Sequence, residues 1–220
     1  MPVKVKICGV RTPVIVETAA EAGADYVGLV IFPNSPRYVE VEEARVLAAI
    51  ARGKIGTVAV LVDPDDALID EVAARVRPDL IQLHGGETPV RVAAIKARSG
   101  LPIMKAVAVA GPADVVEAEA FATGADYILF DAKAGPDAAL PGGNGVAFDW
   151  LTLKGFASPF ALSGGLTPDT VGEAIALTGA SLVDVSSGVE RAPGDKDADL
   201  VRRFIRAAKS AAPPARAKAS

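Results

Sequence analysis

The strongest constraint in this chain is a repeat of kind rather than of letters. Eight short apolar or β-branched runs recur: VKVKIC (3–8), DYVGLVIF (25–32), GTVAVLV (56–62), DLIQLH (79–84), PIMKAVAV (102–109), DYILFD (126–131), PFALS (159–163) and SLVDVS (181–186). Each reads as a buried strand of the kind a parallel sheet requires. The alanine-rich stretches between them set apolar residues at helical spacing, as in Ile15, Ala19 and Ala22 or Leu68, Val72 and Val76. Strand and helix therefore alternate along the whole chain.

The punctuation repeats as well. Thr12-Pro13, Asp63-Pro64, Thr88-Pro89, Gly111-Pro112 and Thr167-Pro168 each follow a strand and precede a helical stretch, so each predicts a cap followed by proline at the first helical position. AGAD (22–25), TGAD (123–126) and TGAS (178–181) end helices on glycine and lead into the next strand. Most strand starts fall about 22–24 residues apart, while the intervals after the second and sixth strands are longer, adding loops at 33–40 and 132–146. Both insertions follow a strand. An α/β fold with eight parallel strands and outer helices, the (β/α)8 or TIM barrel, is predicted, with its chemistry on the loops after the strands. An open doubly wound sheet is the alternative. One barrel domain is expected over residues 1–210, with a flexible tail over 211–220. The tail's cations, with Arg202, Arg203, Arg206 and Lys209, read as a solvated helix face.

Composition narrows the function classes. Half the residues are apolar, enough for a sizeable core, and a formal charge of -4 disfavours a nucleic-acid partner. One cysteine and one histidine make neither an internal disulfide nor a usual zinc cluster. No metal is expected. The absence of a secretory apolar segment or an 18-residue apolar stretch predicts a cytoplasmic protein with no membrane partner. GxGxxG and GxxxxGK[ST] are both missing, so no dinucleotide cofactor or P-loop is indicated.

In such a barrel the polar residues at downstream strand ends face the chemistry: Cys8, Asp63, His84, Asp131, Ser163, Asp184 and Ser186. Alternation places Cys8 on one face with Lys6 and Lys4, Asp131 with Leu129 and Tyr127, and Asp184 with Leu182 and Ser186. SGG (163–165) and SSG (186–188) follow the seventh and eighth strands, where backbone amides commonly bind phosphate; Gly164, Gly165, Ser187 and Gly188 form the candidate cradle. The same glycines also suit tight turns. Cys8 could be a small buried hydrophobe, or a base if nearby positive charge such as Lys6 favours its thiolate. Asp131 could be a cap, a rim carboxylate or an acid.

Taken together, VKICGV, AAEAGADYVGLVIFPNSPRYV, VAVLVD, IQLHG, YILFDAKAGPDAALPGGNGVAFDW, FALSGGL and VDVSSGVE occur in the order found in the phosphoribosylanthranilate isomerase family, which the chain resembles over nearly its whole length. The resemblance implies an Amadori rearrangement in tryptophan biosynthesis, without a cofactor, on a small phosphoribosyl substrate, by a monomer or homodimer. It implies Cys8 as general base, Asp131 as general acid and Arg37 as partner of the anthranilate carboxylate. His84 and Asp184 match further substrate-binding positions, and the SGG and SSG glycines match the phosphate site.

Sister barrel enzymes are the near alternatives. A metal-dependent pentulose-phosphate epimerase would need more histidines than His84. An indole-glycerol-phosphate synthase would need strand-end lysines, for which Lys105 is the candidate. A histidine-pathway isomerase would carry a carboxylate in place of Cys8. A non-catalytic sugar-phosphate binder would not need both an acid and a base.

Overall fold

The computed structural model describes residues 3–133, 148–153, 156 and 158–211. Eight strands follow one another around a ring: β1 (Lys4–Cys8), β2 (Tyr26–Val30), β3 (Gly56–Leu61), β4 (Leu80–Leu83), β5 (Ile103–Val109), β6 (Tyr127–Ala132), β7 (Phe160–Leu162) and β8 (Leu182–Val185). All neighbours are parallel, and β1 pairs with β8 from Lys4↔Leu182 to Ile7↔Val185. That last pairing closes the barrel and removes the open-sheet alternative.

Helices α1 (Pro13–Glu21), α2 (Val41–Ala51), α3 (Asp66–Glu71), α4 (Pro89–Ser99), α5 (Pro112–Ala118), α6 (Val171–Thr178) and α7 (Ala198–Ser210) cover the outside. Between β6 and β7 the described residues include a 3-10 turn at Trp150–Leu153. Most of the expected long loop after β6, residues 134–146, lies outside the described residues, as do 212–220 of the expected tail. Arg202 and Arg203 are exposed and paired with Asp199 and Asp169, as a solvated helix face requires.

Three of the five predicted helix starts stand where the prolines put them, at Pro13, Pro89 and Pro112. The other two begin later. Asp63 has φ 45° and accepts the Gly86 amide at 2.8 Å, so its carboxylate is engaged in the loop, and Asp65 caps α3 by accepting from the Leu68 amide. Thr167 and Thr170 share a hydroxyl contact at 3.1 Å across Pro168, and α6 starts only after that turn. A second departure is a small antiparallel hairpin after β8, β9 (Glu190–Ala192) and β10 (Asp195–Lys196), for which the strand pattern carries no signal.

Side chains divide by parity, because successive strand residues face opposite sides. Cys8, Val30, Val58, Val60, Leu80, Met104, Ala106, Leu129, Ala161 and Leu182 pack inside the barrel, while Ile7, Val27, Leu29, Leu61 and Phe130 pack outward under the helices. The inward set carries the buried polar residues Lys6, Gln82, Asp131 and Asp184 toward the downstream end.

The upstream end is built differently. Asp25, preceding β2, accepts the Val5 amide of β1 at 2.8 Å; Asp79, preceding β4, accepts the Thr57 amide of β3 at 2.7 Å; Asp126, preceding β6, accepts the Ile103 amide of β5 at 2.8 Å. Before β8 the position is Ser181, whose hydroxyl donates to the Phe160 carbonyl of β7 at 2.9 Å. Each even strand thus clamps the start of the odd strand before it. The GAD, GAD and GAS segments at 23–25, 124–126 and 179–181 carry this latch in the sequence. Upstream polar groups are used for closure, which leaves the downstream ones for chemistry.

Candidate active site

Cys8 ends β1 and pairs in register with Gly28 of β2. A side chain at 28 would place its Cβ 2.9 Å from Cys8 Sγ, so glycine there is what leaves room for the thiol. Lys6, two residues earlier on the same face, is fully buried and its Nζ lies 2.9 Å from Asp184 Oδ2 of β8. The register Lys6↔Asp184 brings the two together across the barrel seam.

These three groups set one another's charge. Burial pulls the Lys6 ammonium down, but Asp184 and Cys8 together outweigh it and hold its pKa above the ordinary lysine value. Burial pushes the Cys8 thiol up; Lys6 pulls it back by charge and hydrogen bond, Asp184 adds to the rise, and the net direction is upward. Burial likewise lifts Asp184 against the pull of Lys6, with the neighbouring Asp131 adding to the rise. Asp184 Oδ1 is buried with no hydrogen-bond partner among the described residues.

The other half of the mouth comes from β4 and β6. His84 Nε2 is 3.3 Å from Asp131 Oδ2, and the Gln82 amide nitrogen is 2.8 Å from His84 Nδ1. With Gln82 donating to Nδ1, neutral His84 carries its proton on Nε2, aimed at Asp131. The Ala132 amide donates to Asp131 Oδ1 at 2.9 Å. Gly164 closes this corner from the loop after β7: it has φ 86°, and a Cβ on it would lie 2.6 Å from Ala132 N and 3.0 Å from Asp131 Oδ1.

The loops after β7 and β8 touch. A Cβ at Gly188 would fall 1.9 Å from the Leu166 carbonyl oxygen, so only glycine permits this approach. Gly165 has φ 65°, and Ser187 opens a short 3-10 turn. Gly164, Gly165, Ser187 and Gly188 are therefore brought together. Backbone geometry alone demands glycine at 164, 165 and 188, and both loops are half-buried.

Arg37 is buried on the rim, with Nε and Nη2 each 2.8 Å from the two carboxylate oxygens of Glu190 on the hairpin. Gly9, at φ 76°, lets the chain pass under it, since a Cβ there would meet Arg37 Cδ at 2.5 Å. Lys105 has the opposite parity to its inward neighbours Met104 and Ala106, and its Nζ is held by Glu87 and the Gly85 carbonyl at 2.7 Å each. The lysine that an indole-glycerol-phosphate synthase would need is thus tied up in a buried ion pair away from the barrel interior. Asp63 is likewise engaged in loop structure.

Gln82, Glu190, Lys196 and Gly28 join the mouth without having been singled out from sequence. Parity with His84 could have found Gln82; the others depend on pairings distant along the chain. Among the described residues no group of three or more His, Cys, Asp or Glu side chains is placed to hold a metal ion. No described helix is long and apolar enough to cross a membrane.

Comparison with known proteins bears on this constellation. The sequence profile described as N-(5'phosphoribosyl)anthranilate (PRA) isomerase matches residues 5–207. The N-(5'-phosphoribosyl)anthranilate isomerase of Paramagnetospirillum magneticum is 53% identical over 215 residues, covering 97% of this chain and 100% of that protein. Crystallised monomers of the dimeric phosphoribosylanthranilate isomerase from Thermotoga maritima superpose with a TM-score of 0.82 at 35% identity, covering 94% of this chain and 98% of theirs. A phosphoribosylanthranilate isomerase in complex with reduced 1-(o-carboxyphenylamino)-1-deoxyribulose 5-phosphate gives a TM-score of 0.82 at 34% identity, with the same coverage.

Proposed function

The chain belongs to the phosphoribosylanthranilate isomerase family and carries that isomerase activity in tryptophan biosynthesis, and from this premise we propose that Cys8 is its general base and Asp131 its general acid. The carrying observation is the convergence of two charge-coupled groups on one mouth: Cys8 over Lys6 and Asp184, and Asp131 beside His84.

The substrate is an aminoaldose phosphate closed as a furanose. Asp131 in its protonated form gives a proton to the ring oxygen as the C1–O bond breaks, leaving a protonated imine at C1. The imine acidifies the hydrogen on C2, and the Cys8 thiolate removes it. The enolamine so formed passes its enol proton to C1 and becomes the aminoketone, 1-(2-carboxyphenylamino)-1-deoxyribulose 5-phosphate. The substrate's own nitrogen is the electron sink, so no cofactor enters.

The upward direction of the Cys8 pKa makes its resting form the thiol, and a base must be the thiolate. Lys6 supplies one fixed positive charge against the thiol. Ring opening brings a second, the protonated imine, into the same cavity, and both favour loss of the thiol proton when the base is needed. Arg37 meets the anthranilate carboxylate, the glycine loops meet the phosphate, and His84 and Asp184 contact the substrate between those ends. Pinning both ends holds C1 and C2 between acid and base. On this reading the enzyme is cytoplasmic and acts on a small molecule as a monomer or homodimer.

The test generates phosphoribosylanthranilate in situ from anthranilate and phosphoribosyl pyrophosphate with a transferase and follows the loss of its fluorescence. Cys8→Ala and Asp131→Asn should each lower kcat by about 10²–10⁴. Turnover close to that of the parent in either variant removes that residue from the mechanism.

A further inference from the structure

The hairpin after β8 carries a buried charge cluster to which the acid–base mechanism assigns no role. Glu190 grips Arg37 at Nε and Nη2 through both carboxylate oxygens, and Lys196 Nζ lies 2.5 Å from Glu190 Oε1; all three side chains are at least nine-tenths buried. Arg37 is permanently charged. Arg37 and Lys196 outweigh the effect of burial on Glu190 and hold its carboxyl below the ordinary range, so it is ionised near neutral pH.

The cluster is also tied to both ends of the site. Lys196 Nζ donates to the Ser186 carbonyl at 3.1 Å and meets its hydroxyl at 3.3 Å, next to the candidate phosphate residues Ser187 and Gly188. The Ser186 hydroxyl in turn donates to the Cys8 carbonyl at 3.2 Å. At the hairpin tip, Gly194 has φ 83° and packs so that a Cβ would lie 2.4 Å from the Pro36 carbonyl, beside Arg37 itself. The hairpin therefore spans from the carboxylate-reading loop to the phosphate loop.

We infer that Glu190 and Lys196 are positioning residues that set substrate specificity: Glu190 fixes the plane of the Arg37 guanidinium so that it selects an N-aryl group bearing an ortho-carboxylate, and Lys196 holds Glu190 in register with the phosphate loop. A side-on carboxylate pair holds a guanidinium in one plane, which a lysine or a single hydrogen bond would not do. The inference rests on the reading of Arg37 as the carboxylate partner.

Two substrates separate the possibilities: phosphoribosylanthranilate and the glycosylamine of ribose 5-phosphate with aniline, which lacks the carboxylate. Glu190→Gln is expected to raise KM for the anthranilate substrate about 10- to 100-fold, the range for a weakened charge-assisted contact, while KM for the aniline substrate moves far less. The ratio of the two KM values then collapses, with a smaller effect on kcat. A merely structural role would raise both KM values together or lower kcat for both, and that result overturns the inference. Arg37→Ala serves as the reference: if it leaves the ratio unchanged, the carboxylate reading itself fails, whereas a collapse with Arg37→Ala but not with Glu190→Gln refutes only the positioning role. Should Glu190→Gln fail to fold by circular dichroism, Glu190→Asp must give an intermediate ratio, because it keeps the charge but draws the carboxylate back by one methylene. An unchanged ratio in that variant likewise overturns the proposal.

Discussion

Replacing Lys6 by methionine tests whether the buried pair on the β1–β8 seam is an electrostatic unit. Lys6 is fully buried and its partner's side chain is 4% exposed, so the substitution keeps the packing volume but leaves Asp184 among apolar walls with Oδ1 already lacking a partner among the described residues. Removing one member of a buried pair costs about 3–5 kcal/mol. An independent bound comes from protonation: a carboxyl that titrates near 3.9 when unfolded and stays neutral in the fold costs about 1.4 kcal/mol per pH unit, or about 4 kcal/mol at pH 7. The second figure is a ceiling on the difference, because Asp184 is already raised above its ordinary value in the parent and part of that cost is present there too.

The pH dependence follows from the sign. Asp184 is already raised above its ordinary value by burial in the parent, and losing Lys6 pushes it further. The variant therefore falls behind the parent progressively as pH rises from the parent's Asp184 pKa toward the variant's, and the gap narrows again on acidification. Urea unfolding at pH 5 and pH 7.5 measures it, with Lys6→Met/Asp184→Asn expected to recover most of the loss. A pH-independent loss, or a single variant within about 1 kcal/mol of the parent at pH 7.5, refutes the reasoning.

Two further outcomes follow from the same structure. Alkylation of Cys8 by iodoacetamide, followed by mass, should show an apparent pKa above that of an ordinary thiol in the ligand-free protein, moving still higher in Lys6→Met; a value below the ordinary range would contradict the assigned balance of burial over Lys6. Asp126→Asn should cost about 1 kcal/mol at pH 7 by weakening the latch on the Ile103 amide. Burial raises the Asp126 pKa, but Lys96 and that amide lower it further, so the contribution is present above the unfolded pKa and disappears as pH falls through the folded one. Unfolding at pH 7 and pH 3 checks this, and a loss that grows on acidification would count against it.

On the proposed reading, the cluster at the mouth combines acidity control and substrate recognition in one network. Lys6, Asp184 and Cys8 are mutually coupled, and Asp184 also feels Asp131 and His84. Charge changes at Asp131 are therefore felt at Cys8 through Asp184, a buried carboxylate whose second oxygen is unpaired among the described residues. Apolar walls such as Val58, Val60 and Leu129 keep these interactions in a low-dielectric setting. The outward-facing Lys105–Glu87 pair is equally buried but stands apart from the mouth, so burial of charge is not by itself a mark of chemistry.

What the sequence determined alone is whatever depends on near neighbours. Runs of apolar residues, glycine and proline punctuation, and alternation along a strand identified eight strands, their order and which residues share a face with Cys8, Asp131 and Asp184, while the structure turned those faces inward. The motifs identified the family. Helix starts at Asp66 and Val171 departed from the proline pattern because Asp63 and Thr167 are used by turns. Closure and register belong to the tertiary structure. Lys6 and Asp184 are 178 residues apart, and Arg37 and Glu190 are 153 apart; only the β1–β8 pairing and the hairpin folding back over the rim make them partners. Shifting a strand by one residue would turn each of these side chains to the other face without altering any local propensity. Strand identity is thus decided within a few residues, while the charge of a thiol, an ammonium or a carboxylate is decided by which distant groups the closed barrel brings within about 3 Å of it.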